Sequence, residues 1–151
     1  ETDMKTIERE MKELIAADSN ICRNYKLLTS IKGVGPITAI VMLCSTLNFT
    51  KITDHRKFAC YCGLAPFEHS SGTSVRGGCH TSSMANRDIK VQLNRSALIA
   101  IRCDPQLKAY YERKVAEGKH KFSVLNAVRA KIAARCFAVV RRGTPYVALQ
   151  I

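Results

Sequence analysis

The residues with the clearest capacity for chemistry are two adjacent serines, Ser70 and Ser71, in the glycine-rich stretch 63–78. A serine hydroxyl is a weak nucleophile unless a base or a nearby positive charge activates it. Phosphoryl transfer also needs cations or hydrogen-bond donors around the oxygens that gain negative charge. Arg76 follows the serines and His69 precedes them, so a candidate cation and a candidate base are at hand. The alternative is an ordinary Gly-Ser loop, since most such loops carry no chemistry.

A second segment, LLTSIKGVGPITAIV (27–41), predicts two helices joined by a glycine turn, with Pro36 at the first position of the second helix. Glycines let the backbone turn tightly and approach a partner closely. Amide N–H groups at a helix start point outward and attract phosphate oxygens. The run resembles the helix-hairpin-helix element of DNA repair and recombination proteins, which holds the DNA backbone without reading sequence. The alternative is a turn that only connects helices. The candidate nucleic-acid-binding residues here are Lys32, Gly33, Val34 and Gly35.

The remaining candidates favour structural roles. Cys60 and Cys62 are separated by one residue, which does not match the usual zinc-ligand spacing even with Cys79 and His80 downstream, so no metal site is assigned. Tyr110 and its neighbour are better explained by packing within a helical core than by a nucleophilic role.

Two basic groups have two alternative interpretations, a solvated surface or contact with a nucleic-acid backbone. They are Arg113, Lys114, Lys119, His120 and Lys121 in one group, and Arg129, Lys131 and Arg135 in the other.

Hydrophobic spacing and helix-capping residues predict the elements that position these groups. The predicted helices span 3–18, 21–29, 36–47, 54–62, 84–102, 104–118 and 121–142. Segment 36–47 is nearly all apolar and is expected to be buried. The stretch 63–83 is predicted as one long Gly/Ser-rich loop, of a length that tends to be functional. We therefore expect an all-α fold, a compact helical domain with a helix-hairpin-helix element and that loop.

Composition limits the class of protein. The chain has 151 residues, 46% of them hydrophobic, and Lys and Arg number 24 against 12 Asp and Glu, for a formal net charge of +12. The hydrophobic content excludes a disordered chain, and the charge favours a polyanionic partner, most simply nucleic acid. The alternative, a solubility charge without a partner, is less favoured, because six of the 12 acidic residues fall in residues 1–18 and leave the remainder still more basic. No stretch predicts a membrane span or a secretory signal, and seven cysteines within apolar runs suit a reducing cytosol.

Four motifs in order carry a resemblance to a known family: IKGVGPITA (31–39), FACYCGLAPFEHSSG (58–72), NRDIKVQLNRSALIA (86–100) and YYERKVAEGKHKFSVLNAVRAKIA (110–133). Together they resemble the RNA-guided transposases of bacterial insertion sequences, in which an N-terminal RNase-H-like domain is paired with a C-terminal transposase domain. The resemblance covers about residues 25–147. It implies that residues 1–20 form a helix linking to an upstream domain, and that 21–151 form the C-terminal transposase domain of a cytoplasmic bacterial protein.

The resemblance also implies a mechanism. In that family, four acidic residues of the N-terminal domain bind a divalent metal such as Mg²⁺, and a serine of the C-terminal domain attacks the DNA backbone to form a phosphoserine intermediate. A structured guide RNA sets specificity, and the protein acts as an oligomer. The position before the loop glycine is Ser71, which is the expected nucleophile, with Ser70 as the competitor.

This chain departs from the family pattern at 74–86, where a more basic stretch is usual. The cations that remain are Arg76, Arg87, Lys90 and Arg95. We expect no metal and no other cofactor to be bound by this chain itself. Two other functions stay open: a non-catalytic nucleic-acid-binding module, and an oligomerisation domain driven by helix 3–18 and the apolar tail.

Overall fold

A computed structural model of the protein describes residues 2–65, 67–71, 75–80 and 85–148, and between 66 and 84 it describes backbone only. Within these residues the chain forms seven helices and one β-hairpin. The helices are α1 (Thr2–Ala17), α2 (Ser19–Thr29), α3 (Pro36–Thr46), α4 (His55–Tyr61), α5 (Arg87–Cys103), α6 (Pro105–Ala116) and α7 (Lys121–Arg142). The hairpin pairs β1 (Phe67–Ser71) with β2 (Val75–His80). The helical architecture expected from the sequence is confirmed.

Polar side chains at the helix starts explain where several helices begin. Asp54 and Asp104 accept hydrogen bonds from the first free amides of α4 and α6, as their sequence positions predict. Helix α5 begins later than expected, because the capping residue is Asn86, whose side chain accepts from the amides of Asp88 and Ile89. Ser83, the expected cap, lies outside the described residues. At its far end α7 stops at Gly143, which has a left-handed φ of 70°.

Helices α5 and α7 pack against each other at the centre of the fold. Helices α3 and α6 also contact α5, while α2, α4 and α6 contact α7. The predicted core face of α7 is confirmed, since all five of its expected positions are buried: Leu125, Val128, Ile132, Cys136 and Val139. From α5, which contacts α7, Leu93, Ala97 and Ala100 are fully buried. Burial of this apolar surface supplies the main stabilisation of the domain.

The stretch 63–83 differs from the irregular loop that its composition predicts. Strands β1 and β2 pair in antiparallel fashion, with Phe67 opposite His80 and Ser71 opposite Val75. The register shifts between Glu68 and Ser70, as at a β-bulge. The predicted loop is therefore largely a hairpin.

Helix α3 is less buried than its apolar sequence predicts. Ala39 and Met42 are fully buried, but Ile37 and Leu47 are 43% and 58% exposed. Helix α1 packs against α2 and leaves apolar side chains in solvent, with Leu14 72% exposed. Between α1, α2 and α3 lies an open apolar groove of about 490 Å³. None of the described helices combines the length and apolarity needed to cross a membrane.

Candidate nucleic-acid interface

The glycine turn between α2 and α3 is fixed by short-range hydrogen bonds and by packing. The Ile31 amide donates to the Leu28 carbonyl at 3.1 Å, and the Val34 amide donates to the Ile31 carbonyl at 3.0 Å. Ile31 and Val34 are both buried. Gly33 has a left-handed φ of 93°, a conformation that favours glycine. Helices α2 and α3 are therefore joined by a tight turn that is closed by local hydrogen bonds.

The two glycines of the turn differ in their surroundings. A Cβ atom placed on Gly33 would lie 2.7 Å from the Cβ of Ala100 and 2.7 Å from the carbonyl oxygen of Ser96, both on α5. Gly33 is thus required by close packing of the turn on that helix. Gly35 has nothing within 4 Å of the same ideal position. Only the second glycine leaves the backbone open to an external partner.

The start of α3 has the features of a phosphate-accepting helix terminus. Gly35 is the N-cap residue and supplies no side chain to cap the helix, and Pro36 carries no N–H. In the part of the chain that the structure describes, the amides of Gly35 and Ile37 donate to no acceptor. The side chain of Lys32 is exposed beside them. Free amides, a helix dipole and a cation together suit an anionic ligand.

A second cationic group lies on α5. Arg87, Lys90 and Asn94 follow one another at spacings of three and four residues, so they share a face of the helix. Arg95 follows Asn94 by one residue and points away from that face. The turn at Gly33 rests on Ser96 and Ala100, which lie about 9 and about 15 Å further along the same helix from Lys90 at a rise of about 1.5 Å per residue. The predicted contacts therefore form two separate groups along α5.

The α5 face continues onto α7 through Arg129, which the sequence alone left ambiguous. Its Nε and Nη2 atoms donate to the Asn94 Oδ1 at 3.1 and 2.6 Å. Its Nη1 donates to the Asn126 Oδ1 at 3.4 Å. Burial lowers the pKa of the Arg129 guanidinium. No periodic pattern joins Asn94 to Arg129, so only the folded structure shows that they meet.

The segment that carries the serines leaves and re-enters the helical body beside these cations. Ser71 is the last residue of β1, Ser70 precedes it, and Arg76 lies in β2. Their side chains lie outside the described residues. The root of the segment is the place where residues 61–64 and Asn86 join it to α4 and α5. There the Asn86 amide donates to the Tyr61 carbonyl at 3.0 Å. Asn126 donates through Nδ2 to the Leu64 carbonyl at 2.8 Å.

Comparison with known proteins identifies the family. A family model described as the transposase IS116/IS110/IS902 family matches residues 25–112. The chain belongs to that family. It is similar to the "Insertion element IS110 uncharacterized 43.6 kDa protein" of Streptomyces coelicolor, with 39% identity over 121 residues, 80% of this chain and 29% of that protein.

Two further relatives come from other bacteria. The "Pilin gene-inverting protein" of Moraxella bovis is 23% identical over 141 residues, 93% of this chain and 44% of that protein. The "Probable family 20 transposase" of Pseudomonas aeruginosa is 28% identical over 103 residues, 68% of this chain and 29% of that protein. The chain thus spans less than half the length of each relative.

Within the IS116/IS110/IS902 match lie the glycine turn, both serines and the cations of α5. Arg129 lies beyond it. The described acidic residues do not fit a metal centre, since no three or more His, Cys, Asp or Glu among residues with described side chains could hold an ion. The zinc alternative also finds no support at Cys62, which is buried and donates to the Phe58 carbonyl at 3.0 Å. Burial raises the pKa of the Cys62 thiol to about 11.

The other basic group is partly neutralised by its own helix. Arg113 and Lys114 both pair with Glu117, at 2.9 and 2.6 Å. These pairs lower the pKa of the Glu117 carboxyl, chiefly through the hydrogen bond from Lys114. Tyr110 is half-buried, with Lys131 stacked 4.5 Å from the centre of its ring. This end of α6 therefore has less free charge than the sequence suggests, and Tyr110 is a packing residue.

Proposed function

We propose that this chain is the part of a transposase that binds DNA and supplies Ser71 as the nucleophile for strand exchange. The observation that carries the proposal is the family membership, established over the segment that holds the serines. The geometry supports it, because that segment is rooted between α4 and α5, next to the cations Arg87 and Lys90.

The proposed step is a phosphoryl transfer to serine. The Oγ of Ser71 forms a bond to the phosphorus of a DNA phosphodiester, and the bond from phosphorus to one ester oxygen breaks. The displaced oxygen takes up a proton and becomes a free hydroxyl, while the serine proton passes to a base. Attack by a second strand's hydroxyl on the phosphoserine reverses the step, releases Ser71 and joins the strands. Cations near the phosphate stabilise the charge that builds on its oxygens.

Two groups of residues hold the DNA in this proposal. Lys32 and the amide of Gly35 contact the backbone at the start of α3, while Gly33 and Val34 shape the turn that presents them. Arg87 and Lys90 contact phosphates near the serine, and Arg76 lies on the same hairpin as the serine. Arg95, on another face of α5, adds to the positive potential that attracts the DNA. Contacts of this kind position DNA without reading its sequence.

The remaining components belong to the full-length protein in this proposal. A divalent metal such as Mg²⁺ is held by acidic residues of an N-terminal domain, as the resemblance of the sequence implies. A structured guide RNA supplies specificity, and the enzyme works in the bacterial cytoplasm as an oligomer. The exposed apolar face of α1 and the groove beside α3 favour self-association as a second function, either additional or alternative.

The test uses the full-length protein with the RNA of its own element. Strand exchange and DNA binding are measured for the wild type, Ser71→Ala, Ser70→Ala, and Ser123→Ala as a control for serine removal on the exposed start of α7. The proposal expects Ser71→Ala alone to abolish exchange while binding persists. Strand exchange by both hairpin variants would show that the serines are structural. Self-association that does not depend on the salt concentration, together with a lack of DNA binding, would favour the oligomerisation function.

A further inference from the structure

Arg129 is a partly buried cation without a carboxylate partner among the residues whose side chains the structure describes. A guanidinium has five N–H donors and no acceptor. Three of those donors are used, two on Asn94 and one on Asn126, and both partners are neutral amides. Within the residues whose side chains the structure describes, two donors therefore remain for another acceptor.

This arrangement is unusual, because charges removed from water are normally paired. Arg135, on the same helix, shows the usual solution: its Nη1 lies 2.6 Å from the Oδ2 of Asp104, whose side chain is 2% exposed. Arg129 has lost part of its hydration without gaining an anion. Its two amide neighbours hold the guanidinium in place, so little side-chain entropy is left to lose when an anion binds.

The position of Arg129 links it to the serine segment. Asn126 hydrogen-bonds both to Arg129 and to the carbonyl of Leu64, which lies shortly before β1. On the other side, Asn94 continues the face of α5 that carries Lys90 and Arg87. Three cations from two helices thus flank the root of the segment, and an anion bound there lies beside the chain that leads to Ser71.

We propose that Arg129 binds a phosphate oxygen of a nucleic-acid backbone at this root, with Asn94 and Asn126 as positioning residues. The inference rests on the proposed nucleic-acid function of this site. A phosphodiester is the ligand chemistry, and either DNA or RNA can supply it. Arg suits this task because its planar fork offers paired donors to phosphate oxygens.

The experiment measures how binding to the full-length protein depends on salt, separately for duplex DNA of the element and for its RNA. Each phosphate contact contributes about 0.9 to the slope of log affinity against log salt on duplex DNA, and about 0.7 on a single strand. Arg129→Gln is expected to lower the slope by about one contact on whichever nucleic acid it touches, and to weaken binding roughly tenfold. Arg129→Lys keeps the charge and should keep the slope.

Two further variants separate binding from folding. Asn94→Ala leaves the Arg129 charge in place but removes its support, so binding weakens while the slope stays near the wild type. Arg141→Gln removes an exposed cation from the last turn of the same helix and should change neither quantity. Thermal unfolding of each variant is followed in parallel.

An unchanged salt slope in Arg129→Gln with both nucleic acids would overturn the inference and leave Arg129 as a tie between α5 and α7. Equal loss of slope in Arg141→Gln would also overturn it, because the effect would then be one of general charge. Neither result bears on the serine. If both serine variants keep exchanging strands while Arg129→Gln lowers the slope, the nucleophile proposal fails and the phosphate contact stands.

Discussion

The sharpest structural prediction concerns Gly33→Ala. The new methyl group would meet the Ala100 Cβ and the Ser96 carbonyl oxygen at 2.7 Å each, at a backbone φ of 93°. Left-handed backbone costs a non-glycine residue about 1–2 kcal/mol, and overpacking a tight contact costs about 1–3 kcal/mol. The free energy of unfolding should therefore fall by roughly 2–5 kcal/mol, a large share of the 5–15 kcal/mol typical of a domain.

Chemical denaturation measures this change as a lower midpoint at an unchanged slope. Gly35→Ala is the matched control, since its φ is −87° and nothing lies within 4 Å of the added atom. It should leave stability within about 1 kcal/mol of the wild type, or raise it slightly by restricting the unfolded chain. In the same proteins, DNA binding by Gly35→Ala reports on backbone access at the start of α3 without a loss of fold.

A double-mutant cycle locates the clash. Ala100→Gly removes one of the three atoms nearest the new methyl group, but it leaves the Ser96 carbonyl oxygen and the Ala100 backbone nitrogen and weakens α5 by about 1 kcal/mol. The two substitutions should therefore couple favourably, with partial recovery. If Gly33→Ala unfolds at the wild-type midpoint, or if the cycle shows no coupling, the turn does not pack on α5 as described.

Two other predictions follow from buried groups. Asp104→Ala removes the cap of α6 and the carboxylate partner of Arg135, so the unfolding free energy should fall by about 3–5 kcal/mol. Asp104→Asn keeps a capping oxygen, so its free energy of unfolding should fall by less. An equal fall in the two variants would contradict a role for the charge of Asp104. Burial raises the pKa of Cys62 from 9.0 to about 11 and that of Cys136 from 9.0 to about 12. Because the unfolded thiols release their protons first, the contribution of these two groups to the unfolding free energy should be constant below about pH 9 and fall towards pH 11 to 12. Thermal unfolding across this pH range measures the loss of stability, and Cys136→Ala should make that loss smaller. A thiol reagent at pH 8 should label the exposed cysteines before it labels Cys62 and Cys136. Among the cysteines whose side chains the structure describes, Cys44 and Cys103 are the exposed ones.

Periodic apolar residues and capping side chains made most of the helical fold predictable. In α7, Leu125, Val128 and Ile132 recur at spacings of three and four residues, which place apolar side chains on one face of a helix. Asp54 and Asp104 mark helix starts because their side chains satisfy free amides. These signals depend on residues that are close together in the sequence, so the sequence alone shows them.

The hairpin was not predictable in the same way. Glycine and serine have low strand propensity, and pairing depends on a partner strand rather than on the segment itself. The exposure of Ile37 and Leu47 could not be predicted either, because an apolar run does not show which side of the helix has no neighbouring element. Arg129 and Asn94 are 35 residues apart on helices that meet only in the folded chain. Contacts of this kind require the tertiary structure.

Helix α5 connects the two proposed DNA contacts as one rigid element. The turn at Gly33 rests on its second half, and the cation Lys90 lies about 9 to 15 Å away on its first half. Nucleotides of one DNA strand advance about 3.4 Å each along the helix axis. If both groups hold one duplex, the interval between them corresponds to roughly three to four base pairs. A packing change at Ala100 would therefore shift the turn relative to the cations without touching either group. Under the proposed DNA binding, the close contact of Gly33 with α5 sets the register on the DNA as well as stabilising the fold.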